Sequence, residues 1–309
     1  MADMVTDTAQ KITDMTIRGA GRIARAGAAA MRDYARAYPG DDLEDFRKGL
    51  KESADILIAS RPTAVSLWNG VHATLLGVED ADTVDGVRAV VIRNADAFIT
   101  RSEGAVKAIA RIGANRIEDG DVILTHCNSS AAIGAIIEAH RQGKRFRVYA
   151  TESRPWRQGL LTVRDLSEAG VDVTLIIDSV VNSVMKHVTK VFVGADTITS
   201  HGALINKVGT SMVALAAHEA RVQLYVCSET YKFSPMTLSG EMVKIEEREV
   251  SEIIAPGDLP EGVRVFNPVF DCTPASHIDG IITELGLMAP AAVYGVMVSQ
   301  LGYSVFGEE

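Results

Sequence analysis

The amino-acid sequence predicts an α/β protein, in which an N-terminal helical domain (1–115) precedes a Rossmann-like parallel sheet with helices on both faces (116–309). Three observations predict it. The first third is rich in alanine, arginine and methionine at helical spacing. From Asp121 onward short apolar runs alternate with helical stretches, the pattern of βαβ units. Polar residues gather at the carboxyl ends of those short runs, the edge where open α/β sheets bind ligands.

In chain order, Thr6 to Tyr38 is helical and is closed by Pro39-Gly40. Asp42 to Ile58 carries one apolar face and stops before Arg61-Pro62. Helices over Val65 to Leu76 and from about Asp85 through Arg111 complete the first domain, with Gly113 to Gly120 as its boundary. Val122 to Leu124 is too short for a helix and is flanked by polar residues, which makes it a buried strand. The expected strands are Val122–Thr125, Arg147–Ala150, Val173–Ile177, Val191–Val193, Leu224–Cys227 and Val263–Phe266. Helices lie between them, among them Ala131–His140 with Asn128 or Ser129 as N-cap, Gln158–Ala169 and Lys207–Arg221. Such alternation implies a parallel sheet covered on both faces. Leu285 to Gly307 lacks charge over a length that nominally spans a bilayer. Gly286, Pro290, Ser299, Gln300 and Gly302 interrupt it, so it is expected to be a buried or subunit-contact helix rather than a membrane span.

With 309 residues, 47% of them hydrophobic, the chain can bury a sizeable core. A net charge of -9 argues against nonspecific nucleic-acid binding, which needs a basic face. Three scattered cysteines without metal-ligand spacing suit a reducing cytoplasm. Asp3, Asp7, Lys11 and Asp14 interrupt any signal-peptide core. No Gly-x-Gly-x-x-Gly follows the first strand and no Gly-Lys-Ser loop occurs, so no dinucleotide cofactor or nucleotide triphosphate is implied. His126, His187 and His201 have no metal-binding spacing, and no metal is called for.

Cys127 ends the run from Asp121, where a strand meets a helix start. The partial positive charge of a helix N-terminus favours a thiolate, and phosphates bind well there. Cys127, Glu152, Asp178, Asp196 and Ser228 through Lys232 all fall at strand ends. Any one of the acids taken alone is a helix N-cap; together the five ends mark a site. Thr125-His-Cys-Asn-Ser129, Arg154-Pro-Trp-Arg-Gln-Gly159, Gly194-Ala-Asp196 and Asn206-Lys-Val-Gly-Thr210 stand in order along this edge. They resemble the superfamily of sugar-phosphate aldose–ketose isomerases and translation initiation factor exchange subunits. Arg18-Gly-Ala-Gly21 and Arg61-Pro-Thr-Ala-Val-Ser-Leu-Trp68 extend the resemblance into the helical domain.

The resemblance implies that Cys127 accepts a proton and Asp196 donates one. Exchange subunits lack that pair. Methylthioribose-1-phosphate isomerases keep it but differ around Tyr231-Lys-Phe233, where the chain looks most like the ribose-1,5-bisphosphate isomerase branch. That branch implies conversion of ribose 1,5-bisphosphate to ribulose 1,5-bisphosphate within AMP or nucleoside degradation, in a cytoplasmic homo-oligomer built on dimers, up to a hexamer. Two phosphates need two cradles. Arg18, Gly19, Ala20 and Gly21 offer close main-chain approach, and Arg61 a bidentate fork. Ser129, Ser130 and Ala131 place amides at a helix start. Asn206, Lys207 and Lys232 are the sugar or phosphate contacts that the resemblance adds.

Overall fold

A computed structural model describes residues 2–299 apart from Glu241 and Pro256. It divides into two compact units, Met1–Gly104 and Ala105–Glu309. The division falls inside the long helix α5 (Val84–Ala114).

The N-terminal unit consists of α1 (Ala2–Thr13), α2 (Ala20–Ala37), α3 (Leu43–Ser60), α4 (Val65–Leu75) and the first part of α5. Thr6–Tyr38 is therefore two helices and not one. The break has a local cause: the Asp14 carboxylate accepts the Thr16 amide at 2.9 Å, and Met15 and Gly19 take φ of 66° and 88°. Ile12, Ile23, Met31, Phe46, Leu50, Leu57 and Leu67 are fully buried in its core. A Cβ on Gly70 would lie 2.8 Å from Ala24 O, so α2 and α4 meet over bare backbone.

The C-terminal unit runs β1 (Val122–His126), α6 (Ser130–Arg141), β2 (Arg147–Thr151), α7 (Gly159–Glu168), β3 (Asp172–Ile176), α8 (Val181–Met185), β4 (Lys190–Val193), β5 (Thr197–Ile198), β6 (Leu204–Lys207) and α9 (Thr210–Ala220). It continues through β7 (Gln223–Cys227), β8 (Phe270–Thr273), β9 (Gly280–Thr283), β10 (Gly286–Met288) and α10 (Val293–Ser299). The main sheet has the order β3-β2-β1-β4-β7-β9-β10, and only β10 is antiparallel. Consecutive residues enter opposite layers. Leu124 and Val191 join one apolar cluster, while Ile123 and Phe192 join the other. The chain winds outward from β1 to β3, then returns to place β4 on the opposite side of β1. The topological switch point thus lies between β1 and β4, where doubly wound sheets open a crevice at their carboxyl ends.

Three details depart from the sequence reading. Val263–Phe266 forms no strand, and Val263 and Phe266 are exposed. Pro260 and Pro268 bracket the segment, and a proline cannot donate to a strand ladder. Lys207 closes β6 instead of opening a helix, because α9 starts only after Gly209, at φ 101°. The uncharged C-terminal stretch holds β10 and α10 up to Ser299; Gln300 to Gly307 lie outside the described residues. Among the described residues no helix is long and apolar enough to cross a membrane. A second sheet, β5-β6-β8, is antiparallel and pairs Asn206 with Asp271 and Lys207 with Phe270.

Candidate functional site

Cys127 follows β1 and Asp196 follows β4, so the two flank the switch point. Cys127 takes φ 68°, and Ser153 at the end of β2 takes φ 62°. Both are left-handed conformations rare for residues with a Cβ, and such outliers persist where the surroundings over-determine them. Here they do. The Cys127 amide donates to Ser153 Oγ at 2.8 Å, and the Cys127 carbonyl accepts from Thr162 Oγ1 at 2.7 Å. The thiol donates to Gln158 Oε1 at 3.4 Å.

Two residues beyond Cys127, Ser129 caps α6, its Oγ accepting the Ala132 amide at 3.4 Å. That places Ser130 and Ala131 in the first turn, where amides face the sheet edge without helical partners. Gly194 explains the close fit, since a Cβ there would sit 2.3 Å from Ser129 Oγ. Asp196, partly buried, is tied by its amide to Ile205 O at 3.0 Å, which joins the main sheet to β6. β6 delivers Asn206 and Lys207, both buried. Asn206 Nδ2 donates to Thr210 Oγ1 at 3.0 Å, and the Lys207 ammonium lies 5.4 Å from the Phe270 ring centroid.

The charges decide what the thiol can do. Burial dominates and pushes the Cys127 thiol up to about 11. The Lys207 ammonium and the Asn128 amide oppose this, while Asp196 and Asp178 add to it. The expectation of a thiolate at a helix start is therefore overturned for the resting protein, because desolvation outweighs the helix end. Asp196 and Lys207 nonetheless act on the sulfur with opposite sign, so Cys127, Asp196 and Lys207 form one electrostatic cluster.

Lys232 follows β7 further along the same edge, buried and paired with Glu229 at 2.7 Å. The ammonium holds the Glu229 carboxyl below the usual range against the opposing effect of its burial, and Tyr231 donates to the same carboxylate at 2.9 Å. Arg18, Gly19, Ala20, Gly21 and Arg61 belong to the N-terminal unit. There the two matched segments meet where Ser66 Oγ donates to Ala20 O at 3.0 Å, and beside them Thr13 Oγ1 donates to Ser60 O at 3.2 Å and Arg61 Nη1 reaches Met15 Sδ at 3.8 Å.

Asp271 escaped sequence reasoning altogether, and Asp178 and Trp156, which it singled out, have contacts it did not foresee. Asp178 does not simply cap its own short helix. Its two oxygens accept the Ser153 and Arg154 amides at 2.8 and 2.9 Å, which shapes the loop that carries Gln158. Asp271 accepts the Gly209 amide at 2.7 Å and the Ser211 amide at 3.1 Å, fixing the turn after Lys207. Trp156 Nε1 donates to Glu252 Oε2 at 2.7 Å, so the Arg154–Gly159 loop is pinned from outside as well. Among the described residues no cluster of three or more His, Cys, Asp or Glu side chains is arranged to hold a metal.

Comparison with known proteins places the chain in a family. The profile of the Initiation factor 2 subunit family matches residues 16–290. The ribose 1,5-bisphosphate isomerase of Archaeoglobus fulgidus is 49% identical over 99% of this chain and 96% of its own length. That of Methanocaldococcus jannaschii is 46% identical over 97% and 96%. A methylthioribose-1-phosphate isomerase from Thermosipho africanus is 36% identical over 92% of this chain and 86% of its own. Among solved structures, a translation initiation factor eIF-2B of Pyrococcus horikoshii OT3 superposes with a TM-score of 0.79 at 34% identity, covering 93% of this chain and 97% of the other.

Proposed function

Because the chain belongs to the initiation factor 2 subunit family, we propose that it is an aldose–ketose isomerase converting α-D-ribose 1,5-bisphosphate to D-ribulose 1,5-bisphosphate. One observation carries the substrate choice. Near-full-length identity of 46% and 49% is to proteins named for this reaction, against 36% to a methylthioribose-1-phosphate isomerase.

The chemistry assigns the roles. The furanose ring opens when its ring oxygen receives a proton, and the hydrogen on C2 then leaves as a proton. The resulting enol phosphate takes a proton back at C1, while the C2 hydroxyl gives its own to the Asp196 carboxylate left by ring opening and becomes the ketone. Asp196 supplies the ring-oxygen proton and Cys127 carries hydrogen from C2 to C1. Asp196 acts on the raised thiol through its charge, which links the two groups electrostatically. At rest the sulfur holds the proton. Moving that proton to Asp196 creates the acid and the base together, and Lys207 stabilises the thiolate so formed. Ser129, Ser130 and Ala131 with Asn206 and Lys207 cradle one end of the substrate. Arg18, Gly19, Ala20, Gly21 and Arg61 receive a phosphate, and Lys232 adds a buried ammonium oriented by Glu229. The reaction serves AMP or nucleoside degradation in the cytoplasm, and the enzyme is a homo-oligomer built on dimers. No cofactor takes part in these steps.

The test is direct. ¹³C NMR of the purified chain with ribose 1,5-bisphosphate is expected to show the C2 ketone signal of ribulose 1,5-bisphosphate. No ketone at enzyme concentrations matched to substrate contradicts the proposal.

A further inference from the structure

Four hydrogen bonds run in a single direction between Cys127 and the turn after Lys207. His126 is buried at 1% exposure, with Nε2 2.9 Å from Val208 O. A carbonyl oxygen only accepts, so Nε2 carries hydrogen. Burial depresses the imidazole's proton affinity and outweighs the pull of Asp178, with Oδ1 at 4.0 Å, and of Asp271; Lys207 adds to the depression. Nδ1 is then bare and accepts from Thr151 Oγ1 at 2.6 Å. With its hydrogen committed there, Thr151 Oγ1 accepts from Ser153 Oγ at 3.1 Å. Ser153 Oγ in turn accepts the Cys127 amide at 2.8 Å. Each hydroxyl donates once and accepts once, so one proton placement satisfies the whole chain.

Both ends of the chain rest on strained or bare backbone. Cys127 and Ser153 are the left-handed residues at the near end. At the far end a Cβ on Gly209 would lie 2.9 Å from His126 Cε1, so the ring is seated against a glycine at φ 101°. We infer that His126 is a positioning residue: through Thr151 and Ser153 it ties the left-handed turn at Cys127 to the turn that follows Lys207. Base and ammonium are thereby held in register by a side chain whose hydrogen bonds go to Thr151 and to the Val208 carbonyl. Nothing in the proton transfers assigned above uses it.

The kinetic arm of the test rests on the isomerase reading, and the spectroscopic arm does not. Thr151→Val keeps the shape and removes the hydroxyl, while Thr151→Ser keeps the hydroxyl. Misplacing a reacting group by a fraction of an ångström should lower kcat at least about tenfold in Thr151→Val, with KM within about threefold, and Thr151→Ser should restore it. In wild type at neutral pH, ¹⁵N NMR of the His126 ring should show one N–H, on Nε2. A hydrogen on Nδ1, or full kcat in Thr151→Val, overturns the inference. Should the wild-type chain not turn over the bisphosphate at all, the isomerase reading fails, and the NMR result alone decides the chain.

Discussion

At the residue scale the site turns on a thiol that its surroundings keep protonated. Cys127→Ser preserves volume but substitutes a hydroxyl, a far poorer base, and kcat is expected to fall at least ~10²-fold. Turnover close to wild type in that variant would remove Cys127 from the chemistry. The neighbours give a test of opposite signs. Lys207 lowers the thiol's proton affinity and Asp196 raises it. Lys207→Met should therefore slow alkylation of Cys127 by iodoacetamide at fixed pH, and Asp196→Asn should speed it, as followed by mass spectrometry of the Cys127 peptide. In wild type the alkylation rate should keep rising with pH toward about 11, because that is where the thiolate becomes the major form. Equal rates in the two variants would mean that the three groups do not form one cluster.

At the element scale, turns rather than strands set the geometry. Gly159 opens α7 directly after Gln158, and a Cβ there would sit 1.7 Å from Thr151 O, a backbone atom that cannot step aside. Gly159→Ala is expected to destabilise the chain by about 1–3 kcal/mol or more in urea denaturation and to lower kcat by moving Gln158 off the sulfur. An unchanged midpoint would show that the loop has slack. The same contrast explains what the sequence made legible. Cys127 and Asp196 stood out because each follows an apolar run, and adjacent strand ends of a parallel sheet converge. Asn206 and Lys207 are legible as a motif, but Lys207 reads as the start of a helix, since nothing local announces a strand that ends two residues before a left-handed glycine. The β8–β10 segments were missed because Asp271, Cys272, Gly280 and Gly286 break any apolar periodicity. Val263–Phe266 looked like a strand by composition, yet had no partner to pair with. The supports of Cys127, namely Ser153, Thr151 and Asp178, are ordinary polar residues whose roles arise only from long-range proximity.

At the scale of the whole molecule, an acidic chain binds a polyanionic sugar by concentrating its cations. Lys207 is the buried cation that acts on the Cys127 sulfur, whereas Glu229 compensates the charge of Lys232. Exposed Met212, Leu215, Tyr294 and Val298 in the C-terminal unit suit burial in a subunit contact. Light scattering at micromolar concentration is expected to give twice the chain mass or more, and a monomer contradicts the oligomer proposal. The central claim concerns the second phosphate. A substrate lacking it leaves charge-assisted hydrogen bonds unmade, each worth roughly 1.5–3 kcal/mol, so losing two predicts about 10²-fold or more in kcat/KM. A thioether in its place would add an apolar group to a charged cradle and fare no better. The measurement is kcat/KM for ribose 1,5-bisphosphate, ribose 1-phosphate and methylthioribose 1-phosphate on one preparation. The account predicts that the bisphosphate leads both others by about that factor. A higher value for methylthioribose 1-phosphate would contradict it, while leaving the fold and the Cys127–Asp196 pair intact.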